Sequence, residues 1–168
     1  HSKLLNYTPQ SSLAPTAQID IVFSGVTDSS LTLPKFTSFI SEAIDGVNYK
    51  FVTTNSLTNN TDLANNTVTF NNVVIKQGEP VNLTFTYDSA ANPSAIFEIP
   101  DPNVDTTSLT VSVQQSFSNN FSQVYNLVDD YLSLNDTTEA YFLQEAGNGN
   151  YQIYFGDGVL GKSLVDRS

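Results

Sequence analysis

Short runs of alternating apolar and polar residues, separated by Gly, Pro, Asn and Asp, recur along most of this chain. In "QIDIVFSGV", Ile19, Ile21 and Phe23 fall on one side of the alternation, and Asp20 and Ser24 fall on the other. Successive side chains of a β-strand point to opposite faces of a sheet. A period of two therefore predicts a half-buried strand.

Similar segments predict about nine short strands with turn residues between them. They carry Val68 and Phe70; Leu83, Phe85 and Tyr87; Leu109, Val111 and Val113; and the aromatic residues on both sides of "AGNGN". Asn, Ser and Thr are abundant, whereas the strongest helix formers are sparse. The pattern predicts an all-β fold with little helix, either a sandwich or an open barrel-like arrangement of short antiparallel strands.

The local structure of two segments is predicted separately. Asp45-Gly46 is a hairpin turn signal, so we expect a hairpin here, with a helix over residues 37–44 as the alternative. The second arm of this hairpin would carry Tyr49, Phe51 and Thr53. The polar segment "LTNNTDLANN" is interpreted as a loop.

The domain organisation follows from the same pattern. Residues 1–17 contain Pro9 and Pro15 and few apolar residues, which predicts an extended arm or connector. Residues 18–166 are predicted to form one β-rich domain. The alternative is two small sub-domains with a boundary near residues 57–66 or 88–95.

Composition excludes several kinds of function. The net charge of −11, from 17 acidic and 6 basic residues, repels a nucleic-acid backbone. The chain has no cysteine, and its one histidine is the terminal His1, which excludes a Cys/His zinc site and a His-based catalytic triad. No segment is long and apolar enough to predict a membrane span.

Acidic residues are the candidates for catalysis and for calcium binding. Asp129, Asp130, Glu139 and Glu145 are available for glycosidic chemistry, but adjacent carboxylates on a strand would face opposite sides. "PDPNVDTTS" and "DGVNYK" hold possible calcium ligands without EF-hand spacing, and turn formation explains their Asp and Asn residues more simply. We therefore predict no enzyme, no metal and no cofactor.

The segment "YQIYFGDGVLGK" raises the sharpest question, because Asp157 could be a metal ligand, a catalytic acid or a turn residue. The run Gly156–Ser163 satisfies the P-loop pattern, but little chain follows to form the required helix. We interpret it as a structural turn whose Gly156 and Gly158 supply backbone angles that other residues resist. The predicted motif comprises Gly149, Gly156, Asp157, Gly158 and Gly161. Tyr151, Ile153 and Phe155 would form its buried face, with Tyr154 on the other.

The segment "AYFLQEAGNGNYQIYFGDGVLGKSLVD" resembles a signature of the baseplate wedge proteins of T4-type contractile-tailed bacteriophages, which are related to the baseplate J-like family. "LTLPKFTSF", "IDGVNYKFVTT", "VVIKQGEPVNLTFTYD" and "IPDPNVDTTSLTVSV" are also similar to that family. The family often has glycine at the position of Phe36. If the turn requires a positive φ, Phe36 is strained; otherwise the local loop differs.

The resemblance implies a structural protein of the virion, assembled in the host cytoplasm, and a fragment of a larger wedge subunit. It also implies contacts with other wedge subunits and with a second copy of itself, and a part in transmitting the contraction signal. The alternative function, from composition, is a carbohydrate- or surface-binding β-sandwich of the adhesin type.

Overall fold

The computed structural model of the chain describes residues 14–166, which divide into two compact units with the boundary between Asn82 and Leu83. Both units are built from β-strands, and the predicted all-β fold is confirmed. The boundary at Asn82 lies in neither of the two regions suggested by the sequence. Of the predicted arm, residues 1–13 lie outside the described residues, and Thr16 and Ala17 belong to the first strand.

The N-terminal unit, residues 14–82, contains a four-stranded and a two-stranded sheet. Its strands are β1 (Thr16–Ser24), β2 (Ser30–Leu33), β3 (Ser38–Ile40), β4 (Lys50–Thr53), β5 (Leu57–Asn60) and β6 (Thr67–Gln77). The four-stranded sheet has the order β1-β6-β4-β3 with antiparallel neighbours, and β2 pairs with β5.

The core of this unit forms from one face of β6. Val68, Phe70, Val73 and Ile75 are buried together with Leu33. The predicted inward face of β1 is confirmed, because Ile19, Ile21 and Phe23 pack against this cluster. Burial of these aliphatic and aromatic side chains is the main stabilising term.

A β-bulge interrupts the ladder between β1 and β6. Ile21 is opposite Phe70, but Ile19 is opposite Val73, so β6 has one extra residue at this point. Asn72 takes a positive φ of 54°, which Asn tolerates better than most residues, and its N–H donates to the Asp20 carboxylate at 2.8 Å. The bulge returns Val73 and Ile75 to the buried face.

The predicted hairpin around Asp45-Gly46 is confirmed, and the helical alternative is wrong. β3 pairs with β4, and Ile44 and Val47 exchange two backbone hydrogen bonds of 2.9 Å across the turn. Asp45 and Gly46 have φ values of 51° and 80°, as a two-residue turn with two positive φ angles requires.

Two local predictions are wrong. Residues 57–60 of the predicted loop form β5, because pairing with β2 and the packing of Leu57 on the core outweigh the low strand propensity of asparagine. Conversely, the alternation of Leu83, Phe85 and Tyr87 predicts a strand, but none is assigned there. The Phe85 ring packs on Phe97, with centroids 5.3 Å apart, but no backbone ladder with a strand of residues 14–166 is formed.

The C-terminal unit, residues 83–166, contains one five-stranded sheet of order β7-β11-β10-β9-β8. Its strands are β7 (Ile96–Ile99), β8 (Val111–Ser116), β9 (Asn119–Leu127), β10 (Ala140–Glu145) and β11 (Tyr151–Phe155). Neighbours are antiparallel except β9 and β10, which pair in parallel over two residues. Short 3₁₀ turns lie at Thr106–Ser108 and Tyr131–Ser133. Neither helical turn in residues 14–166 approaches the length of a membrane span.

The core of the C-terminal unit gathers residues from all five strands. Ile99, Val111, Tyr125, Tyr141, Tyr151 and Ile153 form its buried cluster. The predicted common face of Leu109, Val111 and Val113 is confirmed, since all three lie in or against this cluster.

Phe36 adopts a φ of 65°, which settles the choice between strain and a different loop. Its N–H donates to the carbonyl of Thr53 at 3.0 Å, and the next N–H, that of Thr37, donates to the Thr53 hydroxyl at 2.9 Å. The turn is thus fixed by hydrogen bonds to β4, and Phe36 carries the strain of a left-handed backbone.

We predict that Phe36→Gly is more stable than Phe36→Ala by about 1 kcal/mol, because glycine alone removes the left-handed strain. Both variants lose the ring and its contact with the Lys35 ammonium, 4.7 Å from the ring centroid, so their difference isolates the backbone. Urea denaturation measures the two free energies of unfolding. An alanine variant at least as stable as the glycine variant would contradict the assignment.

Candidate functional site

The candidate site is the hairpin of β10 and β11 with the loop that follows it. The two strands pair from Tyr141 opposite Phe155 to Glu145 opposite Tyr151. The connection is closed by the Ala146 N–H donating to the Asn150 carbonyl at 2.7 Å. Gly149 has a φ of 86°, so this member of the predicted motif is required for its backbone angle.

The two faces of β11 are those predicted. Tyr151 and Ile153 are buried in the core, and Phe155 packs against them. On the opposite face, the Tyr154 ring stacks on Phe142, with centroids 4.8 Å apart and planes inclined by 12°. Burial raises the pKa of the Tyr154 hydroxyl. Aromatic packing therefore fixes this strand on both sides.

A carboxylate on β7 ties the hairpin turn to the sheet. Glu98 Oε1 accepts hydrogen bonds from the side-chain amides of Asn148 at 2.8 Å and Asn150 at 2.6 Å. The hydrogen bonds from Asn150 and Asn148 lower the pKa of Glu98. Glu98 is therefore a structural hydrogen-bond acceptor for side chains that lie some 50 residues later in the sequence.

The loop after β11 depends on a close approach of two backbones. Gly156 is bridged to Ser163 in parallel, and a Cβ on Gly156 would lie closer than 3.0 Å to the carbonyl carbon and oxygen of Gly161. Gly156 has no positive φ, so the predicted reason for this glycine is wrong. The residue is needed for space, whereas Gly158 and Gly161, with φ values of 86° and 90°, are needed for their backbone angles.

Asp157 caps this loop. Its Oδ1 accepts the N–H groups of Leu160 at 3.0 Å and Val159 at 2.9 Å. These two hydrogen bonds lower the pKa of the carboxyl, which keeps it ionised as an acceptor. An acid with a lowered pKa is a poor proton donor, and this arrangement favours the turn interpretation over a catalytic acid.

A second loop, Asn135–Thr138, holds the first one in place. The Gly161 N–H donates to the Asn135 carbonyl at 3.0 Å, and the Lys162 N–H donates to the Thr138 carbonyl at 2.8 Å. The Asn135 side chain in turn accepts from the Thr137 N–H at 2.9 Å and from the Thr138 hydroxyl at 3.0 Å. The backbone groups of the glycine loop are thus used within the fold.

Lys162 does not occupy the position that the P-loop pattern would give it. Its ammonium donates to Glu139 Oε1 at 3.1 Å, and this hydrogen bond is the main cause of the raised pKa of Lys162. No helix follows within residues 14–166. A phosphate here would lack both a free lysine and a helix N-terminus.

Among the other acidic candidates, Asp101, Asp105 and Asp130 accept local backbone hydrogen bonds. Asp129 and Asp130 lie beyond the end of β9 rather than within a strand, and Asp130 Oδ1 caps a 3₁₀ turn through the Leu132 N–H at 2.9 Å. Asp101 and Asp105 accept backbone N–H groups two residues ahead. Among residues 14–166, no three His, Cys, Asp or Glu residues lie close enough together to hold a metal ion.

Sequence reasoning missed Asn135, Thr138 and Glu98 as partners of the hairpin and its loop. The segment "NDTT" carries a weak signal, because Asn followed by Thr two residues later is typical of a side-chain-capped turn. Glu98 carries none, because its partners lie about 50 residues away.

Comparison with known protein families finds no family model that matches this chain, and comparison with curated proteins finds no match either.

We predict that Gly156→Ala destabilises the fold by about 2 kcal/mol or more, because the new methyl group would overlap the Gly161 backbone. Gly147→Ala is the matched control. A Cβ there meets no atom within 4 Å and φ is not positive, so its effect should stay within about 0.5 kcal/mol. Thermal denaturation compares the two, and equal melting temperatures would refute the backbone contact.

Proposed function

We propose that this chain is a structural component of a phage tail baseplate wedge, where it makes protein–protein contacts in assembly and helps to transmit the contraction signal. The sequence resemblance rests on the "YFGDGVLGK" region, and the geometry of that region supports the proposal. Gly156, Asp157, Gly158 and Gly161 each have a structural task in the loop. A signature used entirely for shape suits a scaffold better than a catalyst.

The observation that carries the proposal is an uncharged ribbon, formed by β8 and β9, that exposes large apolar side chains. Over Asn119–Tyr125, β9 pairs only with β8 among the described residues, because its pairing with β10 is confined to Asn126 and Leu127. Residues 111–127 include no charged side chain, although the chain as a whole carries −11. Such a ribbon is suited to burial against another protein.

The tip of the ribbon exposes large side chains. Phe117 is 85% exposed and Phe121 is 59% exposed, and Val124 is also exposed. A solvent-exposed hairpin does not require two exposed phenylalanines, and exposed apolar side chains of this kind mark interaction sites. The partners in this proposal are the other wedge subunits and a second copy of the chain.

The test is sedimentation velocity of the chain alone and mixed with the other baseplate wedge subunits of its phage. We predict a stoichiometric complex, which Phe117→Ser with Phe121→Ser weakens at least about tenfold by removing the aromatic anchors. Leu63→Ser is the control, because Leu63 is exposed in the other unit.

Two outcomes contradict the proposal. One is the absence of any complex with the wedge subunits. The other is selective micromolar binding to a sugar on a glycan array, which would favour the carbohydrate-binding alternative.

A further inference from the structure

The hairpin that joins β3 and β4 extends beyond these strands as a narrow finger, residues 40–49. Phe39 and Phe51 at its base pair with each other and pack on the core of the N-terminal unit. Beyond them the finger continues to the turn at Asp45 and Gly46, where Ile44 and Val47 form an isolated bridge. The finger is therefore anchored at one end and presented at the other.

Hydrogen bonds inside the finger connect its two arms. The Ser41 N–H donates to the Tyr49 carbonyl at 2.9 Å, and the Tyr49 N–H donates to the Ser41 hydroxyl oxygen at 3.0 Å. The Asn48 side-chain amide donates to the Ser41 carbonyl at 3.1 Å. Because these hydrogen bonds are already made in the free chain, less conformational entropy would be lost on binding than for an unpaired loop.

The side chains left on the outside of the finger are mainly apolar. Ile40 is 64% exposed, Ile44 is 59% exposed and Val47 is 50% exposed, and Tyr49 is also exposed. Several large apolar side chains exposed on one hairpin are typical of an interaction surface. Polar residues at these positions would favour solubility more, so solubility does not explain the apolar ones.

The charges on the finger are all negative. Glu42 and Asp45 are its only charged residues, and both are exposed. Lys50, at the base, is paired with Glu79, so its charge is already compensated. A partner that buries the apolar residues must approach these two carboxylates, and like charges there would be repelled.

We propose that the finger docks onto a partner protein through an apolar surface bordered by lysine or arginine. Ile44 and Val47 supply the apolar contact, and Glu42 and Asp45 supply the charge complementarity. This docking depends only on the finger and on the chemistry of the partner surface, and it does not require that the chain belong to a baseplate.

The experiment uses two synthetic amphipathic peptides as defined probes, one of alternating leucine and lysine and one of alternating leucine and glutamine. Fluorescence anisotropy measures their binding to the full chain at low and high salt. We expect the lysine peptide to bind more tightly than the glutamine peptide at low salt. Ile44→Thr with Val47→Thr should weaken its binding about tenfold while keeping the β-branched shape that the hairpin needs.

Two control pairs separate the finger from the rest of an acidic protein. Val22→Thr with Leu63→Thr removes equally exposed apolar residues of the same unit and should leave the affinity within about twofold. Glu42→Gln with Asp45→Asn should weaken binding at low salt but not at high salt, and asparagine tolerates the positive φ at this turn. Asp28→Asn with Asp136→Asn removes two other exposed charges and should have a smaller effect.

Binding that is equally affected by the finger variants and their controls would overturn the proposal, as would no binding of the lysine peptide. Equal affinity for the two peptides would overturn the part assigned to charge. Because the probes are defined peptides, these results do not depend on whether the chain forms a complex with wedge subunits.

Discussion

The loop at the carboxyl end of the sheet depends on one close contact between two stretches of backbone, at Gly156 and Gly161. A Cβ on Gly156 does not fit against the Gly161 backbone, and Gly161 is needed for its positive φ, so both positions favour glycine. The contact turns the chain back beside β11, where Asp157 caps the loop and Asn135 and Thr138 bind its outer N–H groups. Signature residues that sequence patterns associate with phosphate or metal are therefore parts of the framework.

Because the residues of the glycine loop are engaged within the fold, interaction with other molecules is expected elsewhere on the surface. In each unit a cluster of buried residues forms the core, and many polar groups of the turns are bonded within the chain. Exposed apolar side chains are found at the ends of two hairpins, one in each unit. In the C-terminal unit this surface is uncharged, around Phe117 and Phe121, and in the N-terminal unit it is acidic, around Ile44 and Val47. Both kinds are suited to protein contacts, and their different charge suits different partners.

Local patterns predicted local structure well. The alternation in β1, the turn at Asp45-Gly46 and the two-sided β11 follow from residues adjacent in sequence, and all three are confirmed. The failures concern contacts between distant residues. Residues 57–60 form a strand because β2 lies beside them, and Leu83–Tyr87 lacks a strand partner among residues 14–166. The predicted reason for Gly156 is wrong on the same grounds, since a backbone contact with Gly161 leaves no mark on the sequence beyond the glycines themselves.

Amide hydrogen exchange followed by NMR tests most directly whether the glycine loop is part of the framework. The N–H groups of Gly158, Gly161 and Lys162 are bonded to the carbonyls of Gly161, Asn135 and Thr138, respectively. They should open only with the surrounding sheet and exchange as slowly as the amides of β11. Exchange of these three amides at the rate of an unstructured peptide, while β11 stays protected, would show a mobile loop and contradict the structural role assigned to it.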